Sequence, residues 1–176
     1  MTAKTIADVA SIEGDGTYPE VILHEMAHVL GFGSLWGPLD LKLIVGSGTT
    51  DPFFIGRGAL DAFPRIGGWS YPGNPVPAEN TGGAGTANSH WRETVLGTEL
   101  MTGFITLPGN PMSVLTVASM GDLGYSINLQ AAQPFSILPS LRAQQGAQGR
   151  VRQLVGDAWE GPLYRIDETG KATRLR

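Results

Sequence analysis

The segment HEMAHVLGFGSLW, residues 24–36, carries two histidines and a glutamate at a spacing that suits metal chemistry. Residues four apart lie on one face of a helix, about 6 Å apart, so the rings of His24 and His28 can bind one metal ion. Glu25 is turned about 100° from His24, so it can take a proton from a metal-activated water. The alternative is two plain core histidines, which would leave Glu25 on an apolar helix without an evident partner, and that is costly.

A third ligand must come from elsewhere, because a catalytic zinc site has three protein ligands and one position for water. Gly31 falls three residues after the second histidine, but the position three further on is Ser34. The chain has three histidines and no cysteine, so a third histidine ligand can only be His90, whose alternative interpretation is a surface histidine. A carboxylate ligand is the competing hypothesis, with four candidates: Asp40, Asp51, Glu93 and Glu99.

The residues around the motif predict a helix over 17–30. Thr17 and Glu20 have the spacing of a capping box, in which each side chain satisfies a free backbone N–H. Pro19 lies in the first turn, where its missing N–H costs little. Gly31 suits a left-handed position at the end. The sequence is apolar nearly all round the helix, which predicts a buried helix.

The remaining sequence predicts an α+β protein that is rich in loops. Turn-forming residues dominate from 31 to 89, with a short helix expected at 56–63. Residues 112–123 have the periodicity of a second core helix, which Gly124 can close. Apolar and polar residues alternate on each side of residues 167–171, which predicts a short C-terminal β-hairpin.

Charge divides the chain near residue 140. Residues 1–139 contain twelve acidic and five basic side chains, whereas residues 140–176 contain four acidic and seven basic ones. We therefore predict a core domain over 1–139 and a basic tail over 140–176 that holds the hairpin. A solvated surface is the simpler explanation of the tail, and a polyanionic partner is the alternative. The net charge of −4 gives no support for nucleic acid as a partner.

Composition limits the remaining classes. A chain of 176 residues is long enough for one domain with its own core. The absence of cysteine excludes disulfides and cysteine-based metal sites. No run of 18 apolar residues occurs, so no transmembrane helix is expected. No signal peptide is evident at the start, so we expect either a cytosolic chain or a mature or truncated form of a secreted precursor.

Three blocks of sequence together resemble the leishmanolysin family of zinc endopeptidases, which belongs to the metzincins. The blocks are HEMAHVLGFGSLW, GGAGTANSHWRETVLGTELMTGFI and LTVASMGDLGY, and they occur in the family's order over roughly residues 17–128. The resemblance implies a metzincin-like zinc helix followed by a loop-rich C-terminal subdomain. It also implies one catalytic Zn2+ ion and hydrolysis of peptide bonds in protein substrates.

The resemblance also selects the third ligand. In the family, the third zinc histidine is displaced by a long insertion after the motif glycine and lies in an S-H-W segment. Here that segment is Ser89-His90-Trp91. The resemblance therefore implies that His90 completes the metal site with His24 and His28.

Three further residues receive roles from the resemblance. The family's ELM segment corresponds to residues 99–101, which implies that Met101 lies beneath the metal site. Gly31 would let the chain turn sharply under the site. Glu25 would be the general base, taking a proton from the attacking water and passing it to the leaving amine.

The sequence departs from the family in two respects. Family members normally have a sizeable domain with a β-sheet before the zinc helix, whereas sixteen residues precede Thr17 here. We therefore expect that sheet to be missing or to be supplied by something else. The better-known eukaryotic members are rich in disulfides, so this cysteine-free chain resembles a bacterial-type relative, and the family implies secretion.

Two alternatives stay open, of which the first belongs to a different class of function. The first is a truncated, non-catalytic zinc-binding fragment of a longer secreted protease. The second is a zinc protease of another clan with a carboxylate as the third ligand. Metal retention after replacement of His90, together with metal loss after replacement of Glu99 or Asp51, would favour the second.

Overall fold

The computed structural model describes residues 12–37, 39–71, 75–107, 109–138, 152–154, 157–159 and 161–174. Four of the helices are α1 (Tyr18–Val29), α2 (Arg57–Ala62), α3 (Glu93–Leu96) and α4 (Val114–Asp122). The strands are β1 (Ile44–Val45), β2 (Phe53–Phe54), β3 (Val76–Pro77), β4 (Phe104–Ile105), β5 (Arg152–Gln153), β6 (Tyr164–Ile166) and β7 (Ala172–Arg174). Helices occur together with small sheets, which confirms the predicted α+β class.

Helix α1 forms where the sequence predicts it, but the capping box is wrong. The side chain of Thr17 makes no capping hydrogen bond. Within the described part of the chain, Thr17 Oγ1 and Glu20 Oε2 are buried without a hydrogen-bond partner. The backbone of Thr17 explains this, because its φ of −96° and ψ of 3° differ from the extended conformation of a typical capping residue.

The prediction that α1 is buried on all sides is also wrong. Its buried residues are Val21, His24 and His28, which lie on one face. Met26 is 54% exposed and Val29 is 69% exposed. The described chain packs against one side of the helix only, and an all-round apolar pattern cannot indicate which side that is. The consequence for the site is that both motif histidines point into the protein.

Helices α2 and α4 pack against each other and confirm two further predictions. The carboxylate of Asp122, at the end of α4, accepts hydrogen bonds from the backbone N–H groups of Gly58 (2.7 Å) and Ala59 (3.0 Å). These are free donors at the start of α2, so one helix caps the other. Helix α4 begins after Ser113, whose side chain accepts from Thr116 N.

The loop-rich region before His90 contains an antiparallel sheet that the sequence did not predict. Strands β1, β2 and β3 pair in that order, and each is only two residues long. Beneath it lies an aromatic cluster with ring centroids 4.6–5.4 Å apart, formed by Phe32, Trp36, Phe54 and Trp91. Such pairs stabilise a core by about 0.5–1.5 kcal/mol each beyond their burial. The cluster joins the turn after α1 to the segment that contains His90.

The C-terminal region contains the predicted hairpin and one unexpected strand. Strands β6 and β7 pair antiparallel, and Asp167 accepts hydrogen bonds within their connecting turn. Strand β5 pairs with β4 and so joins the chain's C-terminal region to its core. The predicted boundary near residue 140 lies outside the described residues. Among the residues that are described, no helix has the length and apolar character to cross a membrane.

Candidate metal centre

Three buried imidazole rings meet between α1 and the segment before α3. The Nε2 atoms of His24 and His28 are 2.9 Å apart, those of His28 and His90 are 3.0 Å apart, and those of His24 and His90 are 3.1 Å apart. All three residues are at most 3% exposed. The structure therefore brings together the three histidines that the sequence singled out.

The other nitrogen of each ring is held by the backbone. Each Nδ1 donates a hydrogen bond to a carbonyl oxygen: His24 to Leu100 (2.8 Å), His28 to Phe32 (2.9 Å) and His90 to Thr86 (3.0 Å). A carbonyl oxygen accepts only, so the proton of each neutral ring is on Nδ1. The Nε2 lone pairs then face one another, which is the orientation found in histidine metal sites.

A carboxylate completes the group, and sequence analysis missed it. Asp157 Oδ2 lies 3.2 Å from His24 Nε2 and 3.8 Å from His28 Nε2, and Oδ1 lies 3.4 Å from His90 Nε2. The side chain of Asp157 is only 5% exposed. No local sequence pattern indicates Asp157 as a ligand, because one carboxylate in a polar tail has no fixed spacing from the histidine motif.

These four side chains fit a metal ion. Three lone pairs and a carboxylate repel one another unless a proton or a metal ion lies between them. In a tetrahedral site with metal–nitrogen bonds of about 2.0–2.1 Å, ligand atoms are about 3.3 Å apart. The ligand atoms of His24, His28, His90 and Asp157 all lie within 4.8 Å of one another. The group can therefore hold one metal ion after small adjustments.

The charge states of the group favour a metal ion over added protons. Burial, assisted by the neighbouring His90 and His24, lowers the pKa of His28 to about 3. Burial alone would raise the pKa of Asp157, but the close approach of the His24 and His90 rings holds that pKa well below its usual range. The centre therefore contains a neutral imidazole and an ionised carboxylate, both of which are ready to bind a cation.

Ser34, which occupies the place of a possible third histidine, serves another purpose. Its hydroxyl donates to the backbone carbonyl of His28 at 3.2 Å, so it supports the end of α1. The backbone next to it makes a close contact with the segment of the third histidine. A Cβ atom on Gly33 would lie 2.2 Å from Ser89 O, and the φ of Gly33 is +73°. Glycine at this position therefore lets α1 and His90 approach each other.

The Gly33→Ala variant is expected to weaken metal binding and to lower the free energy of unfolding. The new methyl group must push Ser89 away, and overpacking of this kind costs about 1–3 kcal/mol. Gly48→Ala is the matched control, because Gly48 has a φ of +79° and open space around it. Urea unfolding and metal titration of both variants check this. Equal effects of the two substitutions would contradict the proposed close contact.

The other predicted site residues lie around the histidines. Gly31 has a φ of +106°, and a Cβ there would lie 2.5 Å from Leu35 Cδ1, so a side chain would be strained at this turn. Met101 is fully buried, and its carbonyl accepts from Trp91 N at 2.9 Å. Glu25 is partly buried on α1 and lies outside the group of four ligand atoms.

Glu99 organises the turn that contains Met101. Its carboxylate is fully buried and accepts hydrogen bonds from Met101 N (2.6 Å), Ser113 N (2.9 Å), Ser113 Oγ (2.6 Å) and Thr116 Oγ1 (2.6 Å). The turn is thereby tied to the start of α4. Burial raises the pKa of Glu99, and the hydrogen bonds from Ser113, Thr116 and Met101 oppose that rise without cancelling it.

The Glu99→Gln variant is expected to be less stable than the wild type, by an amount that depends on pH. The N–H2 group of the new amide cannot accept a hydrogen bond, so the backbone and hydroxyl donors that face it lose their acceptor. One unsatisfied buried donor costs about 1–3 kcal/mol. The pKa of Glu99 is raised in the folded protein above its ordinary value of 4.5. The stability that Glu99 contributes is therefore complete below pH 4.5 and is lost as the pH rises through the pKa of the folded state. The stability difference between wild type and variant should therefore shrink as pH rises.

Urea unfolding between pH 4 and pH 8 measures this difference, with the exposed Glu13→Gln as the control. A difference that grows with pH would show that the hydrogen bonds outweigh burial and that the direction of the pKa shift is wrong.

The four carboxylates considered as third ligands lie elsewhere. Asp51 pairs with Arg92 at 2.6 Å, and Glu99 is bound to the start of α4. Among the described residues, neither these two nor Asp40 and Glu93 belong to the group that could hold a metal ion. The structure therefore gives no support for a carboxylate in place of His90.

The chain was compared with known protein families, curated proteins and solved structures. A family model described as leishmanolysin matches residues 74–136. This range contains His90, Met101 and helix α4, and it ends well short of the C-terminal hairpin. The range begins after α1, so the helix with the first two histidines lies outside it. No curated protein and no solved structure matches the chain significantly.

Proposed function

Since residues 74–136 of this chain are leishmanolysin-like, we propose that the protein is a zinc-dependent endopeptidase. The observation that carries the proposal is the convergence of three Nε2 lone pairs from His24, His28 and His90. Three imidazoles, each fixed through Nδ1 by a backbone carbonyl, are a ligand set typical of catalytic zinc. The family supplies the reaction class, which is hydrolysis of peptide bonds.

The proposed chemistry divides between the metal ion and the protein. A zinc ion held by the three histidines would lower the pKa of water to about 7 and polarise the scissile carbonyl. Glu25 follows His24 on α1, so its carboxylate can accept the proton of the attacking water and return it to the leaving amine. Met101 and Gly31 shape the floor of the site and move no proton.

Protein or peptide chains are the proposed substrates, and the proposed location is extracellular. Both proposals rest on the leishmanolysin-like segment.

Casein hydrolysis by the zinc-loaded protein tests the proposal. The wild type and Asp157→Ala should both be assayed, because Asp157 Oδ2 lies only 3.2 Å from His24 Nε2 and could take the place of a metal-bound water. We expect at least one of the two proteins to hydrolyse casein. 1,10-Phenanthroline should abolish this hydrolysis, and added Zn2+ should restore it. Absence of hydrolysis in both proteins, each with one bound zinc ion, would contradict the proposal.

One observation favours a second candidate function, that of a non-catalytic zinc-binding domain. Structural zinc sites are closed by four protein ligands, and Asp157 supplies a fourth ligand atom here. In that case the metal ion would contribute to folding only. Zinc removal would then lower the thermal stability of both proteins, and neither the wild type nor Asp157→Ala would hydrolyse casein.

A further inference from the structure

The C-terminal region places a carboxylate on the open side of the three histidines. Asp157 oxygens lie 3.2–3.8 Å from the three Nε2 atoms, close to the separation of about 3.3 Å between neighbouring ligands of a tetrahedral zinc ion. The three rings would hold three corners of such a site, and the carboxylate is placed to hold the fourth. A catalytic zinc site leaves this corner to water and substrate.

The residues beside Asp157 are attached to two segments that position the histidines. We define the closing segment as residues 152–154 and 157–159. Leu154 N donates to Gly103 O at 2.9 Å, two residues beyond Met101. Ala158 N donates to Gly85 O at 3.3 Å, immediately before the Thr86 carbonyl that holds His90. The described residues of the closing segment therefore contact both supporting turns.

Further contacts fix the ends of the closing segment. Strand β5 pairs with β4, which follows the Met101 turn. Arg152 Nη2 contacts Asp15 Oδ2 at 2.8 Å, before the start of α1. Leu154 and Ala158 are 4% and 6% exposed, so the segment is packed into the protein surface.

We propose that Asp157 is a fourth protein ligand of the metal ion and that the closing segment thereby inhibits the site. This inference rests on the proposed peptidase function. A carboxylate bound at the fourth corner excludes the water that Glu25 would deprotonate and the carbonyl that a substrate would present. The protein is latent while Asp157 is bound and becomes active when the closing segment leaves.

The strand pairing that holds the closing segment is short enough for the segment to be released. Strands β4 and β5 are each two residues long, and isolated pairs of this length are not stable alone. Leu154 is the large apolar side chain that the described part of the segment buries. The histidines do not depend on the segment, because their Nδ1 partners belong to residues 32, 86 and 100. Release would leave a three-histidine site intact.

Cobalt-loaded protein tests the inference directly. The visible spectrum of Co2+ reports the number and type of its ligands, and acetohydroxamate is a probe that binds only where a position is open. We expect acetohydroxamate to bind Asp157→Ala at least about tenfold more tightly than the wild type, because the closed form must first open in the wild type. Asp157→Asn keeps the shape of the side chain with a weaker ligand and should behave like Asp157→Ala if the latter folds poorly.

The control is Asp61→Ala, which removes an exposed carboxylate that pairs with Arg57. Its spectrum and its acetohydroxamate affinity should equal those of the wild type. Equal affinity in wild type, Asp157→Ala and Asp157→Asn, within about twofold, would overturn the inference.

Casein hydrolysis separates this inference from the proposed function. Tighter acetohydroxamate binding together with faster hydrolysis in Asp157→Ala supports both. Tighter binding without hydrolysis supports Asp157 as the fourth ligand and counts against the peptidase. Equal hydrolysis by wild type and variant supports the peptidase and overturns the inhibitory role of the closing segment.

Discussion

His90→Ala is expected to lose stoichiometric zinc binding, with an affinity reduced by more than about 100-fold. His90 is the one proposed histidine ligand that does not lie on α1, and its Nε2 atom lies 3.0–3.1 Å from the other two. Removing it leaves an (i, i+4) pair and a carboxylate on a distant segment. Zinc content after gel filtration and competition with a chromophoric chelator measure the loss.

Asp51→Ala is the control for the competing carboxylate hypothesis. Asp51 pairs with Arg92 and lies outside the group of ligand atoms, so this variant should keep one zinc ion per chain. Zinc retained by His90→Ala but lost by Asp51→Ala would contradict the three-histidine centre and favour a carboxylate third ligand.

Glu25→Gln is expected to lower the hydrolysis rate by about 10²–10⁴-fold without loss of zinc. The amide keeps the size of the side chain but cannot accept the proton of the attacking water. Because Glu25 lies outside the group of metal-binding atoms, zinc content and the unfolding midpoint should change little. The assay is casein hydrolysis in the Asp157→Ala background, in which the fourth position is open.

Glu168→Gln, an exposed change in the C-terminal hairpin turn, should leave the rate unchanged. Full hydrolysis by Glu25→Gln would remove the assignment of Glu25 as the base. A hydrolysis rate that falls in proportion to the zinc content would show that Glu25 supports the fold of α1 and takes no part in proton transfer.

The local parts of the site could be predicted from the sequence. The spacing of His24 and His28 requires only helix geometry, and α1 forms within one residue of the predicted limits. His90 followed from the count of histidines together with the family resemblance, because no rule of spacing links it to α1. Helix α4 and the C-terminal hairpin were predictable for the same reason as α1, since their periodicities are local.

The features that the sequence did not reveal depend on distant contacts. Asp157 is 133 residues from His24 along the chain, and the β4–β5 pairing that carries it to the site has two residues on each strand. The burial of α1 was overestimated because an apolar pattern records which residues can be buried and not which face the chain covers. The capping box failed because the backbone of Thr17 is not extended, although Thr17 and Glu20 have the right spacing.

X-ray absorption at the zinc edge of the zinc-loaded wild type tests the central claim most directly, because it counts the ligands of the metal ion. The claim is that His24, His28, His90 and Asp157 hold one zinc ion. It predicts four ligands at about 2.0–2.1 Å and outer-shell scattering from three imidazole rings. Six oxygen ligands at longer distances, or scattering from at most one ring, would mean that zinc binds elsewhere and would contradict the proposed centre.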